Sequence, residues 1–320
     1  MSVVNPRTTS YEFMGPMGAA LVSVGLPTIV FSLYFGCSEQ AGGCPPILDN
    51  APERVLNAIL SREFWKGLWD TQAALIYLGW YLYCVAAWAI IPGDYVQGLP
   101  LRTGGRKTYK INGTTSGPLR DENSELTPSF LAFGTLLLAL GVVSGYIIRN
   151  GPEAFTFIYD KWVGFLTAAL LNAFIQSVYV YVASFRQGSI LALGGNSGNI
   201  IYDASICTFP IVAETDVQRP SQWFIGRELN PSIGSFDIKT FNEMRPGLIL
   251  WVLINVSMLC EQAVRRGGFA NVTDSMWLVV AFQSFYVFDS LYNEVSFPKS
   301  TYHCSSHFAV ARSFFDHGCY

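Results

Sequence analysis

Long apolar segments that contain no charged residue alternate with polar loops along this chain. Four of these segments cover residues 15–36, 71–91, 130–148 and 163–184. A helix that crosses a membrane needs about 20 consecutive, mostly apolar residues. Each segment is close to that length, so the pattern predicts four transmembrane helices.

Two further apolar segments are shorter, residues 246–260 and 275–288, and each is followed directly by an acidic residue, Glu261 or Asp289. A charge at membrane depth is costly unless it faces a partner or a polar cavity. We expect two short helices whose ends enter such a cavity; a re-entrant or interfacial position is the alternative. Residues 53–70 mix charges with apolar positions at helical spacing, which predicts an interfacial helix.

The expected fold class is therefore all-α, a polytopic transmembrane helical bundle of about six helices. Composition supports it: 51% of the residues are hydrophobic and only 13% are charged, against about 25% charged in soluble domains. The net charge of −3 gives no reason to expect a nucleic-acid partner. Loops 92–129 and 185–245 each hold five Lys and Arg residues, which places them and the N-terminus in the cytosol.

One polar motif is divided into two parts by residues 204–222. Without them, the chain reads YD followed by WFIGRELNP, which resembles the YD-x-F-x-G-x-x-LNP motif of the sterol reductase family. That family contains C-14, C-7 and C-24(28) reductases and the lamin B receptor. Residues 11–19, 33–37, 243–248 and 288–294 also resemble it, and 11–19 favour the C-14 branch. The motif residues are Tyr202, Asp203, Gly226, Arg227, Leu229, Asn230 and Pro231.

The sequence departs from the family in several places. Residues 113–128 and 204–222 are predicted insertions, the second a retained intron of the gene model. Ser232 stands where the family has Arg. A sterol reductase-like domain is expected over 1–294, followed by an aberrant, disordered tail over 295–320 that replaces the family's later helices. The tail's His303, His307 and His317 match no known zinc spacing, so no metal is expected.

The resemblance implies NADPH-dependent reduction of the sterol C14=C15 double bond, in ergosterol-type biosynthesis at the endoplasmic reticulum membrane. Its partners are then a sterol substrate and membrane lipid. An isolated alkene must be protonated before a hydride adds, so the resemblance also implies an acid in an apolar pocket, with its pKa raised by desolvation. In the family, most of the NADPH site lies beyond the matching region, which implies impaired activity here. The alternative is a non-catalytic or degenerate sterol-binding paralogue.

The candidate acids follow the sixth apolar segment. Asp289, Tyr292 and Glu294 are expected to line the sterol pocket, with Glu294 as the proton donor; alternatively, Asn293 and Glu294 satisfy neighbouring helix ends. We also expect the fifth and sixth helices to lack packing partners, leaving Glu261, Asp289 and Glu294 uncompensated.

The polar side chains of the divided motif are expected to stabilise a loop by hydrogen bonds rather than to perform chemistry. These are Asp203, Arg227, Glu228 and Asn230, and Asn230 is also a candidate helix cap. The neighbouring GGNSGN stretch matches no phosphate-binding loop.

Overall fold

The computed structural model describes residues 5–8, 11, 14–36, 62–91, 93, 95–100, 106–110, 134–191, 196–200, 203, 227–228 and 231–292. The predicted insertions 113–128 and 204–222 and the predicted tail 295–320 lie outside these residues. Contacts divide the chain into two compact units. The first unit comprises residues 1–79, 161–212 and 222–231, and the second comprises 80–160, 213–221 and 232–320.

Helices dominate the described residues. They are α1 (Pro16–Gly36), α2 (Arg62–Gly67), α3 (Thr71–Ile90), α4 (Gly134–Asn150), α5 (Phe157–Asp160), α6 (Trp162–Ala183), α7 (Ile238–Asn242), α8 (Leu248–Arg266) and α9 (Asp274–Tyr292). Single 3₁₀ turns cover Pro152–Phe155 and Phe269–Asn271, and a π turn covers Glu243–Gly247. Of the predicted interfacial helix 53–70, the described part forms only α2.

Among the described residues, three helical stretches are long and apolar enough to cross a membrane: residues 65–90, 162–183 and 238–266. Two shorter apolar helices cover residues 16–32 and 135–150. The predicted class, an all-α membrane protein, is confirmed. All four long apolar segments form helices over their described residues, and the helix bounds lie within four residues of the predicted ones.

The fifth and sixth apolar segments are not short helices, which corrects the prediction. Residues 238–266 form a continuous helical stretch of 29 residues that passes Glu261, and α9 continues through Asp289 to Tyr292. Glu261 does not end its helix because Arg265, one turn later, holds its carboxylate with an Nε–Oε1 distance of 2.7 Å. The helix ends instead at Gly267, whose positive φ of 76° allows a left-handed C-terminal cap.

Helices α8 and α9 form an antiparallel hairpin in the second unit. Gln262 accepts a hydrogen bond from the Thr273 amide, and further from the turn Asn255 contacts Gln283. Side chains from α4, α8 and α9 build its apolar core with Met244 of the π turn: Leu136, Ala139, Met244, Ile249, Val252, Val287 and Leu291. The expectation that these helices lack packing partners is therefore wrong.

Close packing between α3 and α6 organises the first unit. Asp70 caps α3 by accepting a hydrogen bond from the Ala73 amide at 2.9 Å, and its second oxygen lies 2.6 Å from Lys161 Nζ. A Cβ on Gly164 would stand 2.7 Å from Asp70 Cβ and 2.9 Å from Ala73 Cβ. Only glycine fits this approach without displacing a neighbour.

Two small hairpins in the second unit were not predicted. Strand β1 (Tyr95–Pro100) pairs antiparallel with β2 (Arg106–Lys110), and β3 (Ser232–Ile233) pairs with β4 (Phe236–Asp237). Lys110 attaches the first hairpin to the end of α3, because its Nζ donates to the carbonyls of Trp88 and Ala89 at 2.7 and 3.1 Å. A cation is favourable there because helix C-termini carry partial negative charge.

Candidate functional site in the motif loops

The predicted site residues fall partly outside the described chain. Tyr202, Gly226, Leu229, Asn230, Asn293 and Glu294 lie outside it, and of Tyr292 only the backbone at the end of α9 is described. Asp203, Arg227, Pro231 and Asp289 are described. Three loop segments of the first unit surround Asp203 and Arg227. We call residues 184–191, 196–200 and 227–228, together with Asp203, the motif loops.

Asp203 is a buried carboxylate, 4% exposed, that holds a turn of the motif loops. Its Oδ1 accepts hydrogen bonds from the Ser197 amide at 3.2 Å and the Ser197 hydroxyl at 2.7 Å. The Ser197 hydroxyl oxygen accepts in turn from the Asn199 amide at 3.0 Å. The Asp203 amide donates to the Asn199 carbonyl at 2.9 Å. The carboxylate therefore fixes the conformation of the turn at residues 196–199.

Arg227 binds the end of α6. Its Nη1 donates to the Ser184 carbonyl at 3.2 Å and to the Ser184 hydroxyl at 3.0 Å. Its guanidinium carbon lies 3.9 Å from the centre of the Phe185 ring, within the range of a cation–π contact. The cation therefore stabilises a helix C-terminus, as expected from the helix dipole.

Glu228 connects the second half of the motif to the segment after α6. Its backbone forms an antiparallel bridge with Leu191. Arg227 and Glu228 thus contact residues 184–191, while Asp203 contacts residues 197–199. Both motif halves belong to the first unit. These contacts favour the interpretation that the motif's polar side chains stabilise a loop.

An N-terminal segment, Asn5–Thr8, joins these loops to each other. The Asn5 side chain donates to the Ser189 carbonyl and accepts from the Leu191 amide, each at 2.9 Å. The Asn5 carbonyl accepts from Asn196 Nδ2 at 3.2 Å, and Thr8 exchanges two hydrogen bonds with the Asn196 backbone. A continuous path of contacts therefore runs from Glu228 through Leu191, Asn5 and Asn196 to the turn that Asp203 holds.

Asn5, Thr8 and Asn196 were not predicted to be site residues. One local signal was present, because Asn5 precedes Pro6 and Asn-Pro dipeptides favour turns. Nothing in the sequence indicated which distant loop this segment contacts.

Asp289 and Pro231 are the remaining described candidates. Asp289 lies near the C-terminal end of α9, is partly exposed, and stands between the exposed Phe288 and the fully buried Ser290. Pro231 is fully buried. Asp289 belongs to the second unit and Pro231 to the first.

Arg227 and Lys110 are not arranged to bind the phosphates of a nucleotide cofactor. Phosphates require cations whose donors are directed towards the ligand. Arg227 and Lys110 are instead bonded to carbonyls at the ends of α6 and α3. Burial, and secondly the charge of Arg245, lowers the pKa of Lys110. Neither of these two cations is therefore directed towards a phosphate group.

The described residues also contain no group of three or more His, Cys, Asp or Glu side chains arranged to hold a metal ion. Such a group is the usual basis of a protein metal site.

Comparisons with known proteins agree with the motif. The model of the ergosterol biosynthesis ERG4/ERG24 family matches residues 7–217 and 220–303. The Schizosaccharomyces pombe "Delta(14)-sterol reductase erg24" is 35% identical over 91% of this chain and 57% of its own length. The corresponding values are 34%, 91% and 55% for "Delta(14)-sterol reductase" of Neurospora crassa. They are 33%, 92% and 60% for "Delta(14)-sterol reductase ERG24" of Saccharomyces cerevisiae.

The chain corresponds to only part of each of these relatives. The chain spans between 55% and 60% of the length of these three proteins. The family match covers most of the chain and includes both motif halves, Asp203 and Arg227–Glu228. The family resemblance of the motifs is therefore confirmed, and the chain belongs to the ergosterol biosynthesis ERG4/ERG24 family.

Proposed function

We propose that this chain forms part of a reductase that acts on the C14=C15 double bond of a sterol in the endoplasmic reticulum membrane, with NADPH as the source of hydride. One observation carries the proposal. Three relatives named Delta(14)-sterol reductase are 33–35% identical to the chain over 91–92% of its length.

The apolar helices fit a substrate that is dissolved in lipid. Residues 65–90, 162–183 and 238–266 can cross a membrane, so a sterol can reach the protein from the bilayer. The acid that protonates the alkene is proposed to be Glu294, with Asp289 and Tyr292 lining the same pocket. In support, α9 is mostly apolar up to Phe288, directly before Asp289.

The activity is best tested in a chimera, because the chain covers only 60% of the S. cerevisiae relative. The matching segment of that relative is replaced by residues 11–294 of this chain and expressed in cells without C-14 reductase. We expect the C14=C15 sterol to disappear from the sterol profile. A well-expressed chimera that leaves this sterol unchanged would overturn the proposal. The chain alone is expected to leave the sterol unreduced, and turnover by it would overturn the expected impairment.

The proton donor is tested in the same chimera with Glu294→Gln. Removal of a general acid is expected to lower turnover by about 10²- to 10⁴-fold. The matched control is Glu261→Gln, the same change at a carboxylate that is paired with Arg265; it should retain most of the activity. Equal turnover in Glu294→Gln and the parent chimera would exclude Glu294 as the donor.

A non-catalytic sterol-binding protein is the second candidate function. The observation that favours it is that the described polar side chains of the motif hold loops, Asp203 through Ser197 and Arg227 through Ser184. Sterol binding by the chain together with an inactive but folded chimera would support it.

A further inference from the structure

A polar cluster lies on the hairpin of α8 and α9, among side chains that are otherwise apolar. Trp251 Nε1 donates to Gln283 Oε1 at 2.9 Å, and Asn255 Nδ2 donates to the same oxygen at 2.7 Å. The Tyr286 ring lies against Trp251, with 5.7 Å between ring centres. None of these four residues belongs to the motif loops or to the candidate acids.

The cluster lies within the apolar length of the hairpin. Asn255 is seven residues from Leu248 and eleven from Arg266, which is about 10 Å and about 16 Å along a helix axis. Helix α8 belongs to a stretch that can cross a membrane, and α9 runs antiparallel against it. A hydrocarbon core is about 30 Å thick and contains almost no water. Polar side chains at this depth usually have a function.

The chemistry of Trp251 fixes the orientation of both amides. An indole nitrogen only donates hydrogen bonds, so the Gln283 atom that faces it must be the carbonyl oxygen. The Asn255 atom that faces this oxygen must then be its NH₂ group. Gln283 Nε2 and Asn255 Oδ1 remain, a donor and an acceptor that have no hydrogen-bond partner among the described residues.

A hydroxyl group complements this pair, because one hydroxyl donates and accepts at the same time. The surroundings select the molecule that carries it. Trp251 is 38% exposed, Tyr286 40% and Phe282 70%, so aromatic surface that can pack against a flat ring system lies beside the amides. A membrane sterol combines one hydroxyl with fused, planar rings.

We propose that Trp251, Asn255, Gln283 and Tyr286 form a sterol-binding site. The sterol hydroxyl donates to Asn255 Oδ1 and accepts from Gln283 Nε2, and the sterol rings pack on the two aromatic side chains. The inference rests on the proposed function, because that function identifies the lipid as a sterol. It adds a location on α8 and α9 and assigns the contact to the hydroxyl rather than to the double bond.

The test measures binding of a photoreactive sterol to the chain in phosphatidylcholine nanodiscs, with labelled peptides mapped by mass spectrometry. Two competitors are compared, a sterol and the same sterol with its hydroxyl replaced by hydrogen. We expect the hydroxylated sterol to suppress labelling of residues 248–292 at about tenfold lower concentration than the deoxy compound, as for the loss of one buried hydrogen-bonded pair. Equal competition by both compounds, or no labelling there, would overturn the proposal.

The comparison of the two competitors uses the unaltered chain, so it does not depend on the folding of a variant. Two variants complement it. Gln283→Leu removes the donor and should abolish the difference between the competitors. Gln176→Leu removes an amide from α6 and should preserve it. Diacylglycerol competing as well as the sterol would overturn the assignment to sterols. The assay contains no reductase step: an inactive chimera with hydroxyl-dependent labelling would remove the proposed function and leave this site.

Discussion

At the scale of single residues, the motif is a set of hydrogen bonds that fix loop conformation. Asp203 holds Ser197 through two hydrogen bonds, and Arg227 holds Ser184 through two others. The free energy lost when such a bond is removed increases with burial, because a buried group without a partner bears its full desolvation cost. Asp203 is buried and Arg227 only partly so. Asp203 is therefore the more informative residue to replace.

We expect Asp203→Ala to lower the free energy of unfolding by about 1–3 kcal/mol, because the Ser197 amide and hydroxyl lose their acceptor. Asp203→Asn should cost clearly less, since an amide oxygen can still accept from Ser197. Thermal unfolding in detergent measures the difference. Glu153→Ala, at an exposed residue of a 3₁₀ turn, is the control and should be close to neutral. Equal loss in both Asp203 variants would show that the charge matters rather than the acceptor.

Asn5 is expected to control the order of the motif loops. Asn5→Ala removes the hydrogen bonds to Ser189 and Leu191, so amide hydrogen exchange over residues 189–203 should become faster, with little effect on α8 and α9. Asn150→Ala, which removes a bond within a helix end, is the control. Unchanged exchange at 189–203 would mean that the loops hold their conformation without the N-terminal segment.

Whether a residue could be recognised as part of the site depended on how far its contact partner lies from it in the sequence. Asp203 and Arg227 were identified because a local motif contains them. Asn5 and Asn196 were missed because they are 191 residues apart, and a hydrogen bond over that distance exists only after the chain has folded. The amide cluster of Asn255 and Gln283 was missed for the same reason.

At the scale of helices and strands, the length of each apolar segment predicted which segments form helices. It did not predict where all of these helices end. Helix α8 continues past Glu261 because Arg265 lies one turn later and pairs with it. An acidic residue alone was therefore a poor indicator of the helix end, and the glycines at 267 and 268 were a better one. The short hairpins β1–β2 and β3–β4 have no long alternating pattern, which explains why they were not predicted.

The approach of α3 to α6 gives a prediction for Gly164. Its replacement by Ala would place a Cβ 2.7 Å from Asp70 Cβ, and such overpacking costs about 1–3 kcal/mol. We therefore expect Gly164→Ala to lower the thermal midpoint. Gly79→Ala is a matched control within α3, because no atom lies within 4 Å of the added Cβ, and it should be neutral or slightly stabilising. A stable Gly164→Ala variant would contradict the close packing.

At the scale of the whole molecule, the chain combines a family membrane domain with residues 204–222, which we propose to be an insertion that divides the motif. Both flanks of this segment are bound within the first unit, Asp203 to Ser197 and Glu228 to Leu191. The connection between Asp203 and Arg227 contains 23 residues, 204–226, and would contain four, 223–226, without the segment. A connection of four residues can join two flanking residues that lie up to about 17 Å apart.

We expect deletion of residues 204–222 to be tolerated and mildly stabilising. Shortening the connection from 23 to four residues lowers the entropy cost of closing the loop by about 1.5 kcal/mol, and the contacts of both flanks are retained. In the chimera, the deletion should raise reduction of the C14=C15 sterol, because it restores the continuous family motif. A variant with residues 204–222 in scrambled order is the control and should behave like the parent. Faster hydrogen exchange at residues 189–203 after deletion, but not after scrambling, would show that the length of the segment is needed, and that it is not a passive insertion.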